Sequence, residues 1–155
     1  TAAQQEGNEV IVEEGIDGIE VGCGVLQSFY DFENSKALTS PKTQAIAITE
    51  IVPTDSAFFD FEAKYKGKSQ EITPARIDTE LSQKIEDISI RIYDLLQLKG
   101  IVRMDFIIDR YKKPVLIEVN SIPGLSPASI IPQQVKHRGW KLSNVLSTLA
   151  EEHIA

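Results

Sequence analysis

Val115-Leu116-Ile117-Glu118-Val119-Asn120-Ser121-Ile122-Pro123-Gly124-Leu125 is the stretch on which the reading of this chain turns. Its aliphatic and β-branched run predicts a buried strand, and Pro123-Gly124 breaks it. Residues two apart on a strand share a face, so Glu118 and Asn120 arrive side by side. Both carry hard oxygen donors of the kind Mg²⁺ prefers. Ile101 to Asp109 reads as a second strand with Arg103 and Asp105 at the same spacing. A turn at Arg110–Lys113 and a strand over Pro114–Asn120 make the two an antiparallel hairpin. Arg103 and Asp105 then lie across from the Glu118–Asn120 end, and both polar pairs meet at one edge. A carboxylate–carboxamide trio beside an arginine is a metal-and-anion site of the sort that handles phosphoryl transfer. The plainer readings are a solvated acidic edge beside a turn, and a salt bridge between Arg103 and Asp105.

Working outward, the chain has 155 residues, enough for one domain or a piece of a larger one with a real core. Hydrophobic residues make up 42% and charged residues 25%, a globular balance. A net charge of −7 argues against a general nucleic-acid or anionic-membrane binder, which needs a basic face. It leaves nucleotide binding open, because a few placed cations and Mg²⁺ suffice for one triphosphate. Cys23 is the one cysteine, so no internal disulfide forms and a cytoplasmic location is the default. No apolar run reaches the roughly 20 residues of a membrane span. The polar start, without Met, suggests an excised domain or a processed product.

Upstream, Val10-Ile11-Val12 reads as a short strand that forms a hairpin, through Asp17-Gly18, with a strand over Ile19–Phe29. Tyr30–Lys42, punctuated by Asp31, Asn34, Ser40 and Pro41, reads as a loop. Ala45–Val52 alternates and reads as a strand, and Pro53–Glu71 as a long structured loop. Asp78–Leu98 is the clearest helix, with Leu81, Ile85, Ile88, Ile92, Leu95 and Leu96 on one stripe. Asp78 or Thr79 caps it and Gly100 sits where it terminates. A short helix is expected after Pro132, ending at Gly139. A last one near Leu142–His153 should bury Val145, Leu146 and Leu149. The expected fold class is α+β, a mainly antiparallel sheet with helices packed on one face.

Further candidates lie in loops. Gly124 allows close backbone approach to a ligand, and Ser129 can cap a helix whose free N–H groups face an anion. In Phe58-Phe59-Asp60-Phe61-Glu62-Ala63-Lys64-Tyr65, a lysine beside aromatics suits a lid over a phosphate. On the residues alone, aromatics anchoring the loop with Lys64 solvated is the stronger reading. Glu13-Glu14-Gly15-Ile16 resembles a hinge that offers backbone groups to an adenine edge, with Glu20 placed for ribose hydroxyls; adjacent glutamates are more often just solvated. His137, His153, Cys23 and Trp140 read as structural.

These motifs, in this order, resemble the C-terminal portion of D-alanine–D-alanine ligases, members of the ATP-grasp superfamily. The resemblance rests on Val12-Glu13-Glu14-Gly15-Ile16 with Glu20, on Phe59–Tyr65, on Arg103-Met104-Asp105, and on Glu118–Gly124 with Ser129. It implies an ATP-grasp C-terminal subdomain spanning residues 1–155, and ATP and Mg²⁺ as cofactors (two ions, with Mn²⁺ able to substitute). Glu13 and the backbone of Glu14 and Ile16 would hold adenine, and Glu20 the ribose. Lys64 would contact the γ-phosphate and the acyl phosphate. Asp105, Glu118 and Asn120 would ligate the metal ions. Arg103 and the Gly124 amide would stabilise the oxyanion of the tetrahedral intermediate, while Ser129 and the Ile130 amide bind the carboxylate of the second D-alanine. Tyr65 resembles the residue of the dipeptide-forming type, where enzymes using D-lactate carry Phe or His.

The implied partners are D-alanine, ATP and an N-terminal domain of the same parent chain, with a homodimeric parent allowed. No nucleic acid and no membrane are expected. In the family, the region preceding this one supplies two phosphate-contacting lysines, a glycine-rich lid and the first D-alanine site; none is visible here. The chain alone is therefore expected to be inactive, within a parent that makes D-alanyl-D-alanine for peptidoglycan. The alternatives are another ATP-grasp ligase, such as one using D-lactate, and a non-catalytic nucleotide-binding module.

Overall fold

The computed structural model describes residues 9–53 and 69–154. Five strands form one sheet: β1 (Gly18–Asp31), β2 (Lys36–Pro53), β3 (Ser69–Ile72), β4 (Ile101–Asp109) and β5 (Pro114–Asn120). Their order across the sheet is β3-β2-β1-β4-β5, and every neighbouring pair is antiparallel. Among the described residues three helices complete the α+β fold: α1 (Thr79–Leu95), α2 (Ile130–His137) and α3 (Leu142–Ile154). No helix among the described residues is long and apolar enough to cross a membrane.

The β4–β5 hairpin has the expected boundaries, with Arg103 opposite Asn120 and Asp105 opposite Glu118; the pairing shifts by one residue between Asp105 and Phe106, which lies opposite Leu116. The expected hairpin at the N-terminal side does not form. Val10, Ile11 and Val12 lie outside any strand and are 42%, 84% and 91% exposed. The reason is topological: β1 is paired with β4 on one side and with β2 on the other, so it has no free edge to offer. The turn that joins β1 to β2 falls at Phe32–Ser35, where the Asp31 carboxylate accepts from the backbone of Glu33 and Asn34. Most of Tyr30–Lys42 is therefore strand, not loop. Pro41 is tolerated there because that part of β2 pairs with β1 alone.

Alternation along the central strands places apolar side chains on both faces of the sheet. Val21, Cys23 and Val25 of β1 and Val102, Met104 and Phe106 of β4 pack under Leu81, Ile85 and Tyr93 of α1. On the other face Leu26, Ile46 and Ile101 meet Ile131 and Val135 of α2 and Val145 and Leu149 of α3. Helices thus cover two faces rather than the one expected. A sheet apolar on both sides has to bury both. Leu146 of α3, expected in the core, is 36% exposed.

Helix α1 begins at Asp78, whose carboxylate accepts from the Leu81 N–H at 2.9 Å. It ends before Gly100. Gln97 takes the left-handed conformation (φ 51°), its N–H donates to the Asp94 carbonyl, and the Leu98 N–H reaches back to Tyr93. Helix α2 starts before Pro132, with Ile130 as its first residue and Ser129 as its N-cap. Pro132 still falls in the first turn, where its missing N–H breaks no helical bond.

Candidate functional site

Even-numbered residues of β1 and odd-numbered residues of β4 point to the α2 side, and part of that face is left open as a cleft. The cleft is about 830 Å³ and is lined by Glu20, Arg103, Asp105, Glu118, Asn120, Gly124, Ser129 and Ile130, among others. Eight residues singled out from the sequence are thereby gathered at one place. The register explains how. Glu20, Gly22 and Gly24 of β1 lie opposite Ile107, Asp105 and Arg103, and β5 sets Glu118 and Asn120 beside the last two.

Arg103 and Asp105 form a bidentate pair across the sheet surface. Nε donates to Oδ1 and Nη2 to Oδ2, both at 2.8 Å. Their side chains are only 14% and 8% exposed. The hydrogen bonding to Asp105 raises the Arg103 pKa; burial opposes this, and the charges of Asp105, Glu118 and Glu71 add to it. The guanidinium is therefore a permanent cation. Gly22 makes room for the pair: a Cβ there would sit 3.1 Å from Asp105 Oδ1 and 3.3 Å from Arg103 Cδ. The salt-bridge reading of Arg103 is realised, and the paired guanidinium also lines the cleft.

The donors fit a hard cation. Asp105 and Glu118 face each other across the hairpin, and Asn120 lies one strand pair along. Arg103 takes two of the roughly four lone-pair positions of the Asp105 carboxylate, which leaves two for another partner. Asn120 Oδ1 accepts from the Ile122 N–H at 3.1 Å and has a second lone pair. Among the described residues no group of three or more His, Cys, Asp or Glu is disposed to hold a metal. The donor set is instead two carboxylates and a carboxamide. Mg²⁺ accepts such a set, because it commonly uses one or two carboxylates and completes its shell with water and phosphate.

The loop from Ser121 to Ser129 closes one side. What approaches Gly124 is Ser129, whose Oγ would lie 2.7 Å from a Cβ at that position. Ser129 has N-cap backbone geometry, yet its side chain makes no capping bond. Its Oγ pairs with Ser126 Oγ at 2.8 Å. The first-turn N–H groups of α2 are thus left without the usual side-chain acceptor, which suits an anion.

Three expected residues are not among those lining the cleft. Glu13 and Glu14 are exposed, and Ile16 is half-buried in the irregular segment before β1. Lys64 and Tyr65 lie outside the described residues, as does the rest of Phe58–Tyr65. Of the four residues read as structural, Cys23 is fully buried and Trp140 packs on Phe32 with centroids 5.3 Å apart. His137 is exposed at the end of α2, and the His153 side chain lies outside the description. Sequence reasoning missed Glu71, Ser126 and Gln133, which also line the cleft. The available signal was the Gln133-Gln134 pair: adjacent amides on a short helix point to different neighbours.

Comparison with known proteins places this architecture. Residues 1–151 match the family described as the D-ala D-ala ligase C-terminus. A D-alanine–D-alanine ligase of Parabacteroides distasonis is 44% identical over 149 residues, which cover 96% of this chain and 42% of that protein. One from Flavobacterium johnsoniae is 44% identical over 153 residues, covering 99% and 43%. Among solved structures, the VanG D-Ala:D-Ser ligase of Enterococcus faecalis superposes with a TM-score of 0.67 at 33% identity. That match covers 89% of this chain and 37% of the other. The chain therefore spans less than half the length of these relatives.

Proposed function

This chain belongs to the D-ala D-ala ligase C-terminus family, and on that premise we propose that it is the C-terminal part of an ATP-grasp ligase that joins two D-alanines. The observation that carries the proposal is the cleft itself. Arg103, Asp105, Glu118 and Asn120 on one hairpin face Gly124, Ser129 and Ile130 across a single opening.

The charge balance of that opening says what else is needed. Glu20, Glu71, Asp105 and Glu118 line it, and Arg103 is the one cation among its described lining residues. A triphosphate does not enter such a field without counter-cations. Mg²⁺ held by Asp105, Glu118 and Asn120, as one or two ions, with Lys64 reaching the γ-phosphate, supplies them. When bound, Mg²⁺ neutralises phosphate charge and polarises the phosphoryl oxygens.

In this reading ATP phosphorylates the carboxylate of the first D-alanine. The amine of the second attacks the acyl phosphate, phosphate leaves, and a peptide bond forms. Arg103 and the Gly124 N–H face the oxyanion as it develops, which is where fixed donors lower a barrier most. Ser129 Oγ and the Ile130 N–H, the first of α2, receive the carboxylate of the second D-alanine. Glu13 and the backbone of Glu14 and Ile16 take adenine, and Glu20 takes the ribose. Tyr65 favours an amine over a hydroxyl acceptor. The region absent from this chain supplies the first D-alanine site, so the chain alone is expected not to turn over.

Calorimetric titration of Mg-ATP into this chain, beside its Glu118→Gln variant, tests the metal assignment. Binding that requires Mg²⁺ and is lost in the variant supports it; equal binding by both chains would sink it. D-alanine-dependent phosphate release by the full-length protein tests the reaction. Release with D-lactate or D-serine but not D-alanine as the second substrate would reassign the acceptor.

A further inference from the structure

Gln133 stands in the first turns of α2, four residues past Ser129. Its side-chain nitrogen makes two bonds. One goes to the Glu71 carboxylate on β3, across the cleft. The other goes to the backbone carbonyl of Ala128, at 3.2 Å. Ala128 precedes Ser129 in the loop that closes the site. Among the described residues the loop's other bonds are short-range: the Ile122 N–H to Asn120 Oδ1 at 3.1 Å, the Ser129 N–H to the Ser126 carbonyl at 2.8 Å, and the Ser126–Ser129 hydroxyl pair. Ser126, Pro127 and Ala128 are exposed, so packing does little to hold them. Among the described residues, this amide thus links the exposed Ser126–Ala128 part of the loop, beyond the buried Pro123, to the sheet.

We propose that Glu71 and Gln133 are positioning residues for the acceptor substrate: through the Ala128 carbonyl they set where Ser129 and the Ile130 N–H stand over the β4–β5 floor. This rests on the ligase reading given above. Neither residue touches the reacting atoms in it. The neighbouring Gln134 offers a contrast. It is fully buried, and its nitrogen donates to the Gly22 carbonyl at 2.8 Å and to Thr49 Oγ1 at 3.0 Å. Gln134 fastens α2 to the sheet, whereas Gln133 fastens the loop ahead of α2.

The positioning role makes demands that a purely structural one does not. An ångström of misplacement can cost up to ~100-fold in rate, so loss of the link should appear in use of the second D-alanine and not in use of ATP. The experiment is steady-state phosphate release by the full-length protein carrying this sequence, with ATP and D-alanine varied separately. Glu71→Leu and Gln133→Leu should each raise the KM of the second D-alanine by about tenfold or more, with the KM for ATP unchanged. The double variant should be no worse than either single one, because both break one link. Glu71→Gln keeps an acceptor oxygen for Gln133 and should restore the KM to within about threefold of the parent.

An unchanged KM in Glu71→Leu, additive effects in the double variant, or Glu71→Gln as impaired as Glu71→Leu would each overturn the proposal. The last outcome would mean that the carboxylate charge acts directly. If Gln133→Leu fails to fold, the two Glu71 variants decide alone. Absence of D-alanine-dependent release from the unsubstituted protein would instead overturn the functional reading on which this one rests.

Discussion

Gly22 and Cys23 are adjacent in β1 and face opposite environments. Cys23 points under α1, fully buried, and burial pushes its thiol up to about 12, against a smaller opposing hydrogen bond with Ser89. Gly22 points to the cleft, where the missing side chain lets Arg103 and Asp105 lie across the strand. The same contrast repeats on β4, where Met104 is fully buried under α1 and Asp105 faces the cleft. One strand pair therefore carries an apolar seal on one side and a polar floor on the other. The α1 face holds the sheet rigid, and the cleft face uses that rigidity to keep charged groups aligned.

The largest effect that would test this division is on the α1 face. Ile85→Ala removes a fully buried side chain from the first core. It should cost about 2–5 kcal/mol in the urea unfolding of this chain. A loss below about 1 kcal/mol would mean that α1 is not what holds the sheet. Next in size is Gly24→Ala, on the cleft side of β1 but under α2. A Cβ there would sit 2.2 Å from Gln134 Oε1 and 2.9 Å from Ile131 Cδ1. Gln134 cannot swing away without losing its bonds to Gly22 and Thr49, so a cost of about 1–3 kcal/mol is expected. Gly22→Ala meets softer contacts and should cost less, while weakening Mg-ATP binding by disturbing the Arg103–Asp105 pair. Equal stability losses at the two glycines would erase the distinction between covered and open parts of that face.

A smaller stability effect with a complete functional one is expected from Arg103→Met combined with Asp105→Leu. Replacing a buried ion pair by apolar side chains of similar volume is often neutral, so stability should change by about 1 kcal/mol or less. Mg-ATP binding by the chain should vanish. Arg103→Met alone should be less stable than the double variant, because it leaves Asp105 buried without its partner. If the double variant is as unstable as the single one, the pair is part of the scaffold and not a floor held by it.

This division was only partly legible in the sequence. The β4–β5 hairpin and its boundaries could be read because two apolar runs flank a polar turn, whereas the one-residue shift between Asp105 and Phe106 that sets Glu118 opposite Asp105 left no signal in the alternation. The site residues on it followed at once. Val10–Val12 is not the partner of β1 because β1 is claimed on one side by β2, through the turn at Phe32–Ser35 that reads as part of a loop, and on the other by β4, which is distant in sequence. Two helix-bearing faces were signalled by Leu26, Ile46 and Ile101, which are apolar on the side opposite Val25, Ala45 and Val102. Gln97 took the helix-ending conformation that Gly100 was expected to supply, a choice set by where the Tyr93 and Asp94 carbonyls need donors. Glu71 could not be placed in the cleft from sequence, because its position there depends on α2 lying opposite β3.

The smallest effect tests whether the sealed face is apolar throughout. Glu50 of β2 lies opposite Val21, which faces α1, and both its carboxylate oxygens accept from the Arg76 guanidinium, at 2.8 and 2.7 Å. That hydrogen bonding, against the opposing effect of burial, lowers the Glu50 pKa. A carboxylate whose folded pKa lies below its unfolded value, near ~4.3, adds stability that is fully present above that pH and is lost as pH falls through the folded value. The stability difference between the parent chain and Glu50→Gln should therefore be constant from pH 7 to about 5 and shrink below about 4. Arg76 is largely exposed, so the difference is expected to be modest and to fall with added salt. Urea midpoints at neutral and acid pH measure it. A difference that widened on acidification would mean that Glu50 is held by something other than Arg76, and that the charge at the rim of the α1 face belongs to its core.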